Sequence, residues 1–287
     1  MADDRELARR VEAAQSILAT PAAYQARRLE AALAASNREV ALAMARLDPS
    51  SGASAPAIAG GVAVFAGAGS PLTQALGVGL AGPVTAADLD AIEQQLGQAG
   101  AATLQLELCP FADPSLPRLL GQRGYRVQEW QLVWTRALGD EPLAPPPPEL
   151  RIEPVQAGQE RLFCRTLLAG FLESEVVADE AVAMLMPSAF APDRQLLLAW
   201  LGDEPIGGAT LAWADGVALI AGSGVRVAHR RRGAQGALIR ARLARARQLG
   251  CDVAVSSTLP GTASRRNMER HGFHVAYPKL VMLRDAG

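Results

Sequence analysis

The chain has 287 residues, 49% apolar and 20% charged, with a formal net charge of −1. That length exceeds one typical domain, so two domains or one large one are expected in an ordinary globular protein. Near-neutral charge excludes a global attraction to nucleic acid or anionic membrane, and no apolar run is long enough to cross a bilayer.

Positive charge is instead local, clustered over 226–247 and 265–270, and almost all of it is arginine; Lys279 is the only lysine. Such clustering points to an anionic ligand. The three cysteines, Cys109, Cys164 and Cys251, show no paired spacing and no Cys/His cluster. Metal sites and disulfides are therefore not expected, and buried structural thiols in a reducing cytoplasm are. The acidic start, Met1 to Glu6, lacks the basic and apolar segments of a secretory signal, which also suggests a cytoplasmic protein.

In chain order, residues 3–47 read as two helices broken at Thr20-Pro21. Short strands of small residues are expected from Ala57 to Gly67 and from Gln74 to Leu80, with a turn at Ser70-Pro71. Thr85, with Asp88 three residues on, caps a helix over 86–98. A strand from Thr103 to Cys109, a helix from Ser115 to Gln122 and a strand after Gly124-Tyr125 follow. The proline run Pro145–Pro148 marks a stiff linker.

Past the linker come a strand from Arg151, helices near 157–171 and 179–186, and a meander over 195–227 with an Asp215-Gly216 hairpin turn. The last of these strands, Val217 to Val227, runs into Ala228-His229-Arg230-Arg231-Arg232-Gly233-Ala234-Gln235-Gly236-Ala237 and then a long helix ending at Gly250. Free amides in the first turn of that helix, its dipole of about half a charge and the arginines make a phosphate cradle. A strand from Cys251, a short helix from Ser264 to His271, Gly272-Phe273 and a closing strand from Val275 to Leu283 complete the chain.

Gly124-Tyr125-Arg126-Val127 with Leu132-Val133 and Arg136 matches Gly272-Phe273-His274-Val275 with Leu280-Val281 and Arg284 at a constant offset of 148 residues. This indicates an internal repeat, two copies of one fold in tandem. The expected boundaries are 1–140, a linker over 141–149, and 150–287. The first copy's counterpart of the cradle, Gly77 to Pro83, has no arginine, and Pro83 lacks an N–H. It is not expected to bind a diphosphate.

Strand, basic glycine loop, helix, strand, helix, Gly-Phe, strand is the order of the GNAT (GCN5-related) N-acetyltransferases, which residues 150–284 resemble. Arg230 and Gly233 match the family's acyl-CoA diphosphate motif; Gln235 stands where Gly or Ala is usual. The resemblance implies an α/β fold in which each copy is a mixed, mostly antiparallel sheet flanked by helices. It implies acetyl-CoA as co-substrate and a small-molecule amine as acceptor, as in bacterial tandem members of the family, with no metal, nucleic acid or membrane partner. Monomer and homodimer both stay open. The implied donor contacts are Val225 and Val227 through the backbone, Arg230, Arg231, Arg232, Gly233, Ala234, Gln235, Gly236 and Ala237 in the cradle, and Ser264 and Asn267 on the next helix.

Acyl transfer to an amine also needs proton management, and here the family pattern fails. No acid lies in 218–224, and Met268, which cannot donate a proton, stands where a catalytic Tyr is usual. Tyr277, Glu173 and Glu175 are the candidates left. The alternative function is an acetyl-CoA-binding or regulatory protein with weak or no turnover. Nucleic-acid binding by the arginines is disfavoured by the net charge and the lack of interleaved aromatics.

Overall fold

The computed structural model describes residues 20–98, 100, 101 and 103–285. The first of the two expected N-terminal helices lies outside the described residues. The described residues divide into two compact units, one made of those up to 132 together with 276–285, the other of residues 133–275.

In the first unit, α1 (Pro21–Leu47) begins where Thr20 accepts a hydrogen bond from the Ala23 amide and Pro21 occupies the first turn. β1 (Ala57–Ile58) and β2 (Gly61–Val64) form a hairpin where one longer strand was expected. Its turn needs Ala59 and Gly60 at φ 50° and 77°, a conformation an Ala-Gly pair does not advertise. β2 pairs antiparallel with β3 (Gln74–Leu76), which pairs parallel with β4 (Thr103–Leu108). α2 (Ala86–Gln98) and α3 (Ser115–Gln122) fall where the caps and Pro117 placed them. Leu89, Ile92 and Leu96 from α2 meet Leu104 and Leu106 of β4 and Leu116 and Leu120 of α3 in one core. β5 (Arg126–Ala137) runs from this unit into the second.

The second unit contains β6 (Leu150–Pro154), α4 (Glu160–Leu172), α5 (Asp179–Ala189), β7 (Arg194–Leu201), β8 (Glu204–Ala214), β9 (Val217–Leu219), β10 (Ser223–Val225), α6 (Ala234–Gln248), β11 (Val253–Thr258) and α7 (Ala263–Arg270). β6, β7, β8 and β9 pair antiparallel in sequence, and β9 pairs parallel with β11. Alternation along β7 sends Leu196 and Leu198 to α4 and α5, and Leu197 and Ala199 to α6. The result is a mixed, mostly antiparallel sheet with helices on both faces, as expected. The cysteines are buried, and burial pushes the Cys109 and Cys164 thiols up to about 12.

β12 (His274–Asp285) closes the chain, and its pairing departs from the expected boundaries. Its residues from Ala276 onward belong to the first unit, where Leu280 to Asp285 pair antiparallel with Leu108 to Thr103 of β4. The end of β5, from Val133, belongs to the second unit. Each sequence half thus ends in a strand counted with the other compact unit. The physical reason is equivalence: α2, α3 and β5 start at Ala86, Ser115 and Arg126, and α6, α7 and β12 start 148 residues later at Ala234, Ala263 and His274. Two strands of matching pattern are interchangeable in the same kind of sheet slot.

A buried charge cluster fixes β12 in the first unit. Lys279 contacts Glu107 of β4 and lies 3.5 Å from Glu30 of α1, and Tyr277 donates to Glu30 at 2.8 Å. Burial alone lowers an ammonium's pKa, but the charges of Glu30 and Glu107 hold that of Lys279 above its usual value, while burial raises that of Glu30. Removing one partner of such a cluster strands the others without water. Lys279→Met is expected to lower unfolding stability by about 3 kcal/mol, measured by denaturant titration at pH 7. Because the folded-state pKa is raised, the ammonium's contribution is complete below pH 10.5 and is lost as pH rises beyond it.

Candidate acyl-donor site

The strand expected over Val217 to Val227 is interrupted, and the interruption builds the site. β9 and β10 both pair with β8, but the register slips across Ile220 to Gly222, a β-bulge. β11 follows β9 only as far as the bond from Ile220 N–H to the Val255 carbonyl, 2.8 Å. Beyond the bulge β10 has β8 as its only strand partner among the described residues, and no strand lies along its other edge. Gly222 accepts from Thr210 N–H and Arg226 N–H donates to Ile206, so alternation turns the backbone groups of Ser223 and Val225 toward that open edge.

Arg242 of α6 holds the bulge. Its side chain is 1% exposed and donates to the carbonyls of Leu238, Thr210 and Ala221 at 3.0–3.1 Å, with no carboxylate among its partners. Burial pushes its pKa down to about 9, so it remains a cation at neutral pH. Close approach completes the wall: a Cβ at Gly170 of α4 would stand 2.6 Å from the Val225 nitrogen, and one at Gly224 would stand 2.7 Å from the Leu167 carbonyl oxygen.

The chain then makes a single 3₁₀ turn, Val227–His229, and enters the loop. Gly233 caps α6 at φ 83° and offers no side chain to the first turn, where Ala237 N–H is the first to find a helical carbonyl. The amides of Ala234, Gln235 and Gly236 are thus presented outward. The matching positions of the first copy differ. There Thr85 and Asp88 cap α2 reciprocally, Asp88 receiving from Thr85 N–H at 2.8 Å and Thr85 receiving from Asp88 N–H at 3.2 Å. In addition Arg27 caps the Leu80 carbonyl at 2.9 Å. Those donors are already used, and a carboxylate stands where an anion would dock.

Gly170, Glu173, β10, the segment from His229 to Gly236 except Arg232, the α7 residues Ala263, Ser264, Arg266, Asn267 and Arg270, and His271 after them line a cavity of about 740 Å³. Of the residues expected to contact a donor, Val225, Arg230, Arg231, Gly233, Ala234, Gln235, Gly236, Ser264 and Asn267 line it. Val227, Arg232 and Ala237 do not; Ala237 is on the buried face of α6, and Val227 faces outward at 47% exposure. Arg230 lines the cavity in a different capacity: it reaches Glu173 at 2.7 Å, the Gly170 carbonyl at 3.1 Å and the Val225 carbonyl at 3.3 Å. It braces the end of α4 against β10.

Of the candidate catalytic groups, Glu173 alone lines the cavity. Glu175 is ion-paired with Arg226 at 2.8 Å. Tyr277, expected as a catalytic acid, is not in the lining: it belongs to the first unit, bonds Glu30 in the buried cluster and packs edge-on against Phe111, and its hydroxyl pKa is raised by burial. Met268 is buried at 3% exposure and does not reach the cavity lining. Sequence reasoning missed His271, whose Nδ1 lies 2.8 Å from the Asn267 carbonyl and whose pKa is lowered by burial; His229, which the sequence places beside the arginines as a phosphate neighbour or surface residue ahead of a base, lines the cavity with its Nε2 3.2 Å from Glu204.

Residues 162–273 match the model of the acetyltransferase (GNAT) family. They form a GNAT domain. No curated protein matches the chain. Among solved structures, a GCN5-related N-acetyltransferase from Kribbella flavida is 21% identical, with a TM-score of 0.59 over 86% of this chain and 95% of that one. One from Sphaerobacter thermophilus is also 21% identical, with a TM-score of 0.53 over 69% and 67%. A tandem GNAT protein from the clavulanic acid biosynthesis pathway is 13% identical, with a TM-score of 0.53 over 70% and 69%. At these identities the likeness is one of fold. Acyl transfer is the general chemistry of the GNAT family, and among the described residues no helix is long and apolar enough to cross a membrane.

Because the bulge carbonyls depend on one side chain, Arg242→Met is expected to cost about 3 kcal/mol of stability, read from chemical denaturation, by leaving buried acceptors unpaired.

Proposed function

We propose that the GNAT domain transfers an acetyl group from acetyl-CoA to the amine of a small molecule. The observation that carries this reading is the uncapped start of α6 opening into the cavity beside the free edge of β10. The residues fit the donor: the amides of Ala234, Gln235 and Gly236 and the Arg231 guanidinium suit its diphosphate, and Ser223 and Val225 offer backbone groups to the pantetheine arm. One of those amides polarises the acyl oxygen. The thioester supplies an activated acyl group when the donor is bound.

Glu173 is the carboxylate available within the cavity lining to take the proton from the attacking amine. Met268, at the position of the missing tyrosine, is buried and aprotic, so the departing thiolate takes its proton from the ammonium of the tetrahedral adduct or from water. The same gap favours a second reading, an acyl-CoA-binding protein with slow or no turnover. The halves proposed from the sequence, 1–140 and 150–287, then carry unequal roles, with donor binding confined to the second.

Gly233→Pro is expected to weaken acetyl-CoA binding by roughly 100-fold or more in calorimetry, since proline cannot adopt the left-handed cap and the loop abuts Pro147. Unchanged affinity sinks the cradle assignment. In a thiol-release assay against an amine panel, Glu173→Gln is expected to slow turnover about 100-fold. Donor binding with no release by the wild type for any amine selects the second reading.

A further inference from the structure

The first turn of α6 has no capping side chain to fix it, and the proline-rich linker lies where that support is missing. Leu138 N–H donates to the carbonyl of Asp252, just past the C-terminus of α6, and residues 139–149 run back along the helix toward its start. They touch it at three levels. Arg247 donates to the Glu141 carbonyl at 2.6 Å and lies 3.2 Å from the carboxylate of that residue. Arg240 donates to the carbonyls of Ala144 and Pro145 at 2.7 and 3.1 Å. At the N-terminus of the helix, a Cβ on Gly233 would stand 3.0 Å from Pro147 Cγ. The two chains keep pace: an extended proline-rich segment covers about 19 Å from Glu141 to Pro147, and the helix covers about 21 Å from Arg247 to Gly233.

The contacts converge on the cradle. Arg240 grips the linker with two nitrogens, and its third lies 3.1 Å from where a Cβ on Gly236 would stand. Arg136 ties the start of the linker to the opposite wall, donating to the Glu141 carboxylate at 2.5 Å and to the carbonyl of His271 at 2.6 Å. Gly233, Gly236 and His271 line the cavity; Arg240 and Pro147 do not. Glycine leaves the backbone at the cradle freer than any other residue would, and an anion site built from amides needs them held convergent. Proline has the opposite property. Its fixed φ makes the linker extended before it docks, so holding it against α6 costs little further entropy.

We propose that the linker is a strap that sets donor affinity. Arg240 and Pro147 are its positioning residues: they hold Gly236 and Gly233 so that the α6 amides meet the diphosphate, and neither touches the donor. This rests on the reading of the cavity as an acyl-CoA site.

The test is calorimetry with CoA on the full chain, comparing the wild type with Arg240→Ala, Pro147→Gly and Arg245→Ala. The last is the control, an α6 arginine that bonds Gln195 and Gln248 and not the linker. Arg240→Ala is expected to weaken CoA binding about tenfold and Pro147→Gly about threefold, with Arg245→Ala within about twofold of the wild type. Thermal unfolding verifies that each variant folds, and Pro147→Gly decides the matter if Arg240→Ala does not. A role in helix stability alone would lower the melting temperature without moving the CoA affinity of the folded protein. For any amine that is turned over, the donor KM rises by the same factors while kcat at saturating donor stays at its wild-type value. Unchanged CoA affinity in the two strap variants, an equal loss in Arg245→Ala, or a fall in kcat in place of the rise in KM overturns the strap and leaves the acyl-CoA reading standing. A wild type that does not bind CoA overturns both.

Discussion

A charged side chain with no counter-charge among the described residues holds the bulge beside the cavity. A regular ladder from Val217 to Val225 would let β11 continue alongside, and there would be no free strand edge. The slip across Ile220 to Gly222 prevents this, and it leaves carbonyls at Thr210 and Ala221 turned into the protein where water does not reach. Arg242 satisfies both, and its own helix through Leu238. A guanidinium suits this task better than an ammonium because its donors diverge in a plane and match carbonyls fixed on different strands. The charge is tolerated without a carboxylate because every partner is the negative end of a peptide dipole.

The two copies show how little separates a ligand cradle from a closed turn. At matching positions α6 starts with Gly233 and Gly236, and α2 starts with Thr85 and Asp88. Side chains that stabilise a helix start do so by occupying the amides a phosphate would need, so good capping and anion binding compete for the same donors. The first copy has taken local stability; the second leaves its donors for a ligand. The tethering of Arg240 and Arg247 to the linker at Ala144, Pro145 and Glu141 steadies α6 from outside its own first turn.

Much of this was legible in the sequence. Helix starts at Ala86 and Ser115, the Asp215-Gly216 hairpin and the offset of 148 residues follow from local chemistry: caps, turn residues and repeated patterns. The open start of α6 was legible because Gly233 stands where a capping side chain would otherwise be. What was not legible depends on distant partners. Tyr277 reads as a possible acid on a closing strand, yet which sheet that strand joins is decided by Glu107 and Glu30, far away in sequence. Arg230 was read as a phosphate ligand, and its pairing with Glu173, from another element, was not foreseen. Arg242 left a signal that went unused: it lies on the stripe of Ile239, Leu243 and Ala246, where an arginine is out of place unless buried acceptors await it.

The assignment of β12 to the first compact unit has a consequence for biosynthesis. A chain leaving the ribosome presents residues 20–132 early, but the sheet they build lacks the strand that pairs with β4 until the last residues emerge. The second unit, residues 133–275, has all its strands before then. Residues 133–275 can therefore close before the other unit is complete, and Glu30 and Glu107 lack their partner Lys279 until β12 is made. The chain's last strand is the step that dehydrates them, which makes the completion of one copy depend on the full translation of the other.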